Sequence, residues 1–291
     1  MDVVDAQIHC WEIDPQRPWD PAFDYGTDRE HPFPVEYALA AMDAIGISSA
    51  VISLPPSYRS PIGHGVYRYD NSYAEEAALR YPDRFATVQR WDPRDPEIDR
   101  LAEEVLRRPG TIGVRATLVA DAEWELFRAG GYKPLFSAAE QYRVPVMLFV
   151  SGHANEAGRV AKAHPGLTLV IDHLGLRQPP YMATDPEPFE RLPLTLGLAR
   201  HPNVNVKLSG TPSLSRAGYP FRDVWPAIHR LVDAFGPERL MWGSDVTRVR
   251  GLHTWSEALD FIRYSDELSA SDKEQILAGT LRRVLDWPRA A

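Results

Sequence analysis

The segment from Val3 to Trp11 carries the first sign of chemistry. Read with the period of two that an extended strand imposes, Asp5, Gln7, His9 and Trp11 share one face. Val4, Ala6, Ile8 and Cys10 share the other. Asp, Gln and His on a single face suit a polar cavity with Gln7 and His9 as neighbours. A strand with one hydrogen-bonded polar face is the plainer reading of the same residues. Further along, Arg90 and Trp91, Arg115, His173, Lys207 with Ser209, and Asp245 with Arg248 each stand at or near the end of an apolar run. A carboxylate can take a proton from water, imidazoles can steady developing charge, and a guanidinium grips a carboxylate in a two-point fork.

These residues need elements to bring them together. The apolar runs that follow the first are Ser49–Leu54, Phe85–Trp91, Thr111–Leu118, Val144–Val150, Leu167–His173, Val204–Ser209 and Leu240–Asp245. Helical patterns fall between them, over Val35–Ile45 (closed by Gly46), Asp70–Arg80, Pro96–Arg108, Pro134–Tyr142, Asn155–Ala163, Phe189–Ala199 and Trp225–Phe235. A last helical stretch, Ser271–Leu285, has Ser271 and Glu274 spaced as a capping box. Glu12–Pro34 and Ser57–Tyr69 read as long loops, the first with the aromatics Trp19, Tyr25 and Phe33. Strands alternating with helices imply parallel pairing through crossovers. Eight such units in 291 residues favour an α/β fold of the closed (β/α)8, TIM-barrel kind, with residues 1–291 as a single domain. Neither GxGxxG nor GxxxxGK[ST] occurs, which counts against a nucleotide-binding sheet.

In such barrels the chemistry sits at the C-terminal ends of the strands. That rule gathers Gln7, His9, Arg90, Arg115, His173, Lys207 and Asp245 at one mouth, with His153 just beyond the fifth strand. Each has a structural alternative. His173 next to Asp172 also suits a hydrogen-bonded pair, and Arg115 also suits the neutralising of a buried carboxylate.

A net charge of −8 argues against nucleic acid or an anionic membrane as a partner, but allows a small anionic substrate at a local Arg cluster. Cys10 is the only cysteine, so no intrachain disulfide and no thiolate metal cluster can form. No signal-peptide pattern and no bilayer-length apolar run occurs, and a cytoplasmic protein, paired as a homodimer, is the expectation.

The motifs DxxxHxW from Asp5, GVR ending at Arg115, VIDHLG around His173, KLSG from Lys207 and MWGSD ending at Asp245 resemble the amidohydrolase superfamily. Within it the chain is most similar to the branch of pyrone-dicarboxylate lactonase and the sugar lactonases. The resemblance implies that Asp245 handles the proton of the attacking water, that His9 and His173 stabilise the carbonyl oxygen, and that Arg115 holds a substrate carboxylate. Gln7, Lys207, Arg248 and Trp11 are then candidate substrate contacts. Gln7 stands where the family has the first histidine of His-x-His, and an amide oxygen is a poor zinc ligand. His9, His173 and Asp245 would make at most a weak three-ligand site, so the expected cofactor is none or a weakly bound zinc ion. The implied activity is a hydrolase opening a lactone or similar ester of a small carboxylated compound. A zinc-dependent decarboxylase of an aromatic or muconate-like acid is the alternative, and a non-catalytic acid-binding barrel a third reading.

Overall fold

A computed structural model describes residues 1–15, 31–54, 59–180, 182 and 184–287. Eight parallel strands form one sheet: β1 (Val4–Ile8), β2 (Ser49–Ser53), β3 (Phe85–Arg90), β4 (Thr111–Thr117), β5 (Val146–Phe149), β6 (Leu169–Ile171), β7 (Val204–Lys207) and β8 (Leu240–Met241). They pair in chain order. The bonds Ala6 N–H to Trp242 O (3.1 Å) and Asp245 N–H to Gln7 O (3.0 Å) bring the end of β8 back to β1, which makes the sheet a barrel.

Two apolar layers hold it. Val4, Ala6, Val51, Val88, Met147, Val170 and Met241 meet inside the barrel, with Ala278, Leu281, Leu285 and Trp287 of the C-terminal helices against them. Outside, Ile8, Cys10, Ile52, Val114, Leu148, Ile171 and Val206 face the helices. The helix Val35–Ile45 shows how they dock: Val35, Ala38 and Met42 recur on one buried face, and Gly46 at φ 78° ends the run by bonding back to Met42 O.

Several elements differ from the sequence reading. Ser57–Tyr69 is not all loop, since Arg59–Gly63 and Val66–Tyr69 pair as an antiparallel hairpin. Most of its residues are exposed, so no alternating apolar face announces it. Helices Asp121–Arg128 and Trp255–Arg263 fall in stretches that gave no helical pattern. The last helix begins one turn's half earlier than expected: Ser269, not Ser271, accepts from Asp272 N–H as its N-cap. A true capping box instead opens Trp255–Arg263, where Thr254 Oγ1 accepts from Glu257 N–H and the Glu257 carboxylate accepts from Thr254 N–H. Thr254→Ala is expected to cost about 1 kcal/mol, read as a lower urea midpoint at unchanged slope.

Strand β1 departs most consequentially. Its register against β2 shifts between Asp5 and Ile8, a bulge that puts the two halves of the strand out of phase. Val4 and Ala6 therefore point into the barrel while Ile8 and Cys10 point out, although strict alternation puts all four on one face. Among the described residues no helix is long and apolar enough to cross a membrane.

Candidate active site

Asp5 holds the bulge in place. Its Oδ1 accepts from Gln7 N–H (3.0 Å) and Ser244 N–H (2.9 Å), and its Oδ2 accepts from Trp255 Nε1–H (2.8 Å). Burial pushes this carboxyl up to about 6, against the hydrogen bonds it accepts. Asp5 thus faces away from the centre, and its bonds tie Gln7 to the segment that presents Asp245.

Asp245 follows β8 in a left-handed turn (φ 53°), a conformation that Asp tolerates better than most residues. Its carboxylate is fully buried. Arg248 Nε donates to Oδ2, while the rest of that guanidinium donates to Pro179 O (2.6 Å) and Gln178 Oε1 (2.7 Å). Oδ1 lies 3.3 Å from His9 Nε2 and meets no aligned hydrogen-bond donor among the described residues. His9 Nδ1 stands 2.5 Å from Ser53 O, a carbonyl that can only accept, so the proton belongs on Nδ1 and the Nε2 lone pair faces Asp245. Burial would raise the Asp245 carboxyl, but Arg248 above all holds it well below the usual range. Burial, helped by Arg115 and Arg90, lowers His9 against the pull of Asp245.

Beneath this pair lies a buried ionic network. Lys207 Nζ, with no solvent exposure, stands 3.0 Å from Asp172 Oδ1, 3.1 Å from Gln7 Oε1 and 2.8 Å from Met147 Sδ. Arg115 Nε donates to Asp172 Oδ2 at 2.7 Å. An ammonium can only donate, so it fixes the Gln7 amide with its oxygen toward Lys207 and its NH2 toward His173 Nε2, 3.3 Å away. His173 is then an acceptor at Nε2, where Arg115 also approaches (3.4 Å), and its proton sits on Nδ1 beside Ser209 Oγ (2.8 Å). Burial pushes this imidazole down to about 3. His173 has φ 53° and ends β6, which lets it and its neighbour Asp172 both reach the interior. Burial would raise Asp172, yet Lys207 and Arg115 hold it below the carboxylate range.

The geometry thus gathers Gln7, His9, Arg115, His173, Lys207, Asp245 and Arg248, and reassigns several of them. Lys207 is sealed under Gln7 rather than exposed at a strand end, and Arg248 is clamped to Asp245. His173 spends both ring nitrogens inside the protein rather than presenting an N–H to a carbonyl. Trp11 is fully buried, its backbone bridged to Phe33 and its ring packed near Phe33 and Arg250, rather than open to contact a substrate. His153 caps a helix with its ring against Trp124. Trp19 and Tyr25 lie outside the described residues. Ser53 is a partner that strand patterning does not mark, Ser209 stands at its strand end as expected, and Asp172 pairs with Arg115 and Lys207 rather than with its neighbour His173.

The three-ligand metal set His9, His173 and Asp245 does not assemble. Gln7, Arg115 and Ser209 occupy the His173 nitrogens, and Arg248 takes one Asp245 oxygen. His9 Nε2 and Asp245 Oδ1 remain, two donors where zinc takes three or more protein ligands. Among the described residues no group of three or more His, Cys, Asp or Glu is placed to hold a metal ion. The residues present do not fit one.

An eight-stranded parallel barrel with its polar centre at the strand ends is the architecture of many hydrolases. The amidohydrolase family model matches residues 4–287, and the chain belongs to that family. It is 29% identical over 248 residues to the 4-sulfomuconolactone hydrolase of Hydrogenophaga intermedia, covering 79% of this chain and 75% of that one. It is 26% identical over 260 residues to the L-fucono-1,5-lactonase of Burkholderia ambifaria, covering 85% and 82%. Among solved structures, an amidohydrolase from Burkholderia multivorans with bound zinc has a TM-score of 0.78 at 21% identity, covering 99% of this chain and 100% of that one.

Proposed function

We propose that this protein hydrolyses a lactone or similar ester of a small carboxylated compound, using water activated by Asp245 without a metal ion. The observation that carries the reading is the pair of unshared acceptors, Asp245 Oδ1 and His9 Nε2, held 3.3 Å apart in a buried centre. Two adjacent acceptors without a donor call for a molecule that donates twice. Water does so, and keeps its lone pairs for a carbonyl carbon above. As the water oxygen bonds to that carbon, Asp245 takes one proton and the carbonyl oxygen becomes an oxyanion. The ring C–O bond then breaks, and the proton passes to the departing oxygen. The product is the ring-opened hydroxy acid.

The charge of the centre favours this course. Arg115, Lys207 and Arg248 face Asp172 and Asp245, three cations to two carboxylates, while both imidazoles are pushed toward neutrality. The surplus positive charge is fixed before reaction and meets the oxyanion as it forms. Arg115 belongs to the same buried network and also lines a cavity beside it, which supports its assignment to the substrate's acid group. The names of the two curated relatives support lactones as the substrate class.

Dialysis against a chelator followed by a screen of small carboxylated lactones, read by proton release, tests the proposal. Turnover is expected to survive chelation. Loss of activity that zinc restores would overturn metal-free hydrolysis, and metal-dependent release of carbon dioxide from an aromatic acid would favour the decarboxylase alternative. The pH profile gives a second check. Asp245 stays ionised and His9 neutral through neutrality, so kcat/KM is expected to be level there and to fall only on the acid side of 6.5, the ordinary histidine value. An acid limb centred at or above that value would contradict the assignment.

A further inference from the structure

Three arginines of this chain hold a carboxylate in a side-on fork. Arg94 gives Nε and Nη2 to the two oxygens of Asp92 (2.9 and 2.8 Å). Arg68 does the same to Asp95 (3.2 and 3.0 Å), and Arg282 to Asp2 (2.6 and 3.2 Å). Such a fork is the strong geometry for a guanidinium with a carboxylate. Arg248 departs from it. Only its Nε donates to Asp245, at Oδ2, and the buried Oδ1 meets no aligned donor among the described residues.

The second prong is spent elsewhere. Arg248 Nη2 donates to Gln178 Oε1 (2.7 Å), and Nη1 donates to Pro179 O (2.6 Å). Gln178 is buried, and its amide has one orientation that satisfies both ends. Its Nε2 donates to Ser209 O (3.0 Å), a carbonyl that only accepts, which turns Oε1 toward a guanidinium that only donates. Gly210 leaves room for this bond. A Cβ there would run into Gln178 Oε1 and stand 2.8 Å from Arg248 Nη2, and the φ of 66° at this position also favours glycine.

We infer that Gln178 is a positioning residue: by taking Nη2 of Arg248 it holds the guanidinium to one prong on Asp245 and leaves Oδ1 open to the attacking water. The inference rests on the lactonase reading for the role of that water, but not for the grip itself. Arg248 then lends its charge to the carboxylate without covering the oxygen that acts as base. An Nη2 released from Gln178 closes the fork onto Oδ1, the acceptor that the water needs.

Two variants at one position test it in kinetics. Gln178→Leu removes the acceptor for Nη2, Gln178→Glu keeps one, and both lose the donor to Ser209 O. After melting curves confirm folding, the Leu variant is expected to lose about ten- to hundredfold in kcat, the worth of one hydrogen bond to a charged group, with KM within about twofold. The Glu variant is expected to keep about tenfold more kcat than the Leu variant. A purely structural amide would cost both variants alike, so equal kcat in the two overturns the inference. Gly210→Ala displaces the same bond without altering the amide and is expected to lower kcat by a similar factor; an unchanged kcat there also overturns it. Crystal structures of wild type and Gln178→Leu read the grip without any substrate. Arg248 Nη2 within hydrogen-bond reach of Asp245 Oδ1 in the variant supports the inference even if no lactone is turned over, in which case only the lactonase reading fails. A variant whose Arg248 keeps a single contact with Asp245 overturns it.

Discussion

Asp245→Asn is expected to lower kcat by about three orders of magnitude while leaving a folded protein that still binds its substrate. The substitution is chosen on backbone grounds. Position 245 has φ 53°, which Asn adopts readily, whereas alanine would add strain there and confuse the reading. An amide cannot take the proton of the attacking water, so the chemical step suffers. Binding suffers less, because Arg115 lies outside the change. The Arg248 guanidinium loses its anionic partner but keeps Pro179 O and Gln178 Oε1, so the stability cost should stay near the low end of about 1–3 kcal/mol. Steady-state kinetics with melting curves on the same samples provide the check. A variant that retained more than about a tenth of wild-type kcat would remove Asp245 from the role of base.

The largest stability effect is expected at Lys207. Its ammonium is sealed from solvent and touches only protein groups, so Lys207→Met fills the space but leaves Asp172 with Arg115 alone and Gln7 Oε1 without its donor. Removing one partner from a buried ion pair costs about 3–5 kcal/mol, and the surviving Arg115 contact points to the lower end, roughly 6–12 °C in melting temperature. Activity should fall as well. With no ammonium to orient it, the Gln7 amide can turn over and present its oxygen to His173, which then loses one of the two donors that fix its proton on Nδ1. The double variant Lys207→Met with Asp172→Asn should lose less stability than the two single variants summed, because both singles break the same Lys207–Asp172 contact, although Arg115 is then left without its anion. Strict additivity of the two changes would show that the pair is not coupled.

The metal question turns on the same residues. Lys207, Arg115 and Arg248 bring protein-borne positive charge to the centre. A divalent cation would have to approach three fixed cations with only two lone pairs to receive it. Gln7 offers only an amide oxygen, a poor zinc ligand, and that oxygen faces Lys207, 200 positions away.

The sequence by itself determined the barrel, the helices Val35–Ile45 and Trp225–Phe235 to the residue, and the membership of Gln7, His9, Arg115, His173 and Asp245 in one centre. These follow from local patterns: apolar runs alternating with amphipathic ones, and polar residues at the ends of runs. What only the tertiary structure decided is which way each of those residues faces and what it holds. Period-two reading assumes a regular strand, and the site is built where strands are irregular. A bulge turns Gln7 and His9 inward and Asp5 away, and left-handed turns at His173 and Asp245 aim side chains that an extended chain would send elsewhere. The pairing of Arg115 with Asp172 joins residues 57 positions apart, and no local pattern encodes so distant a partner. Backbone irregularity and long-range charge pairing have no short sequence signature, because both arise from the packing of the closed barrel rather than from the segment that displays them.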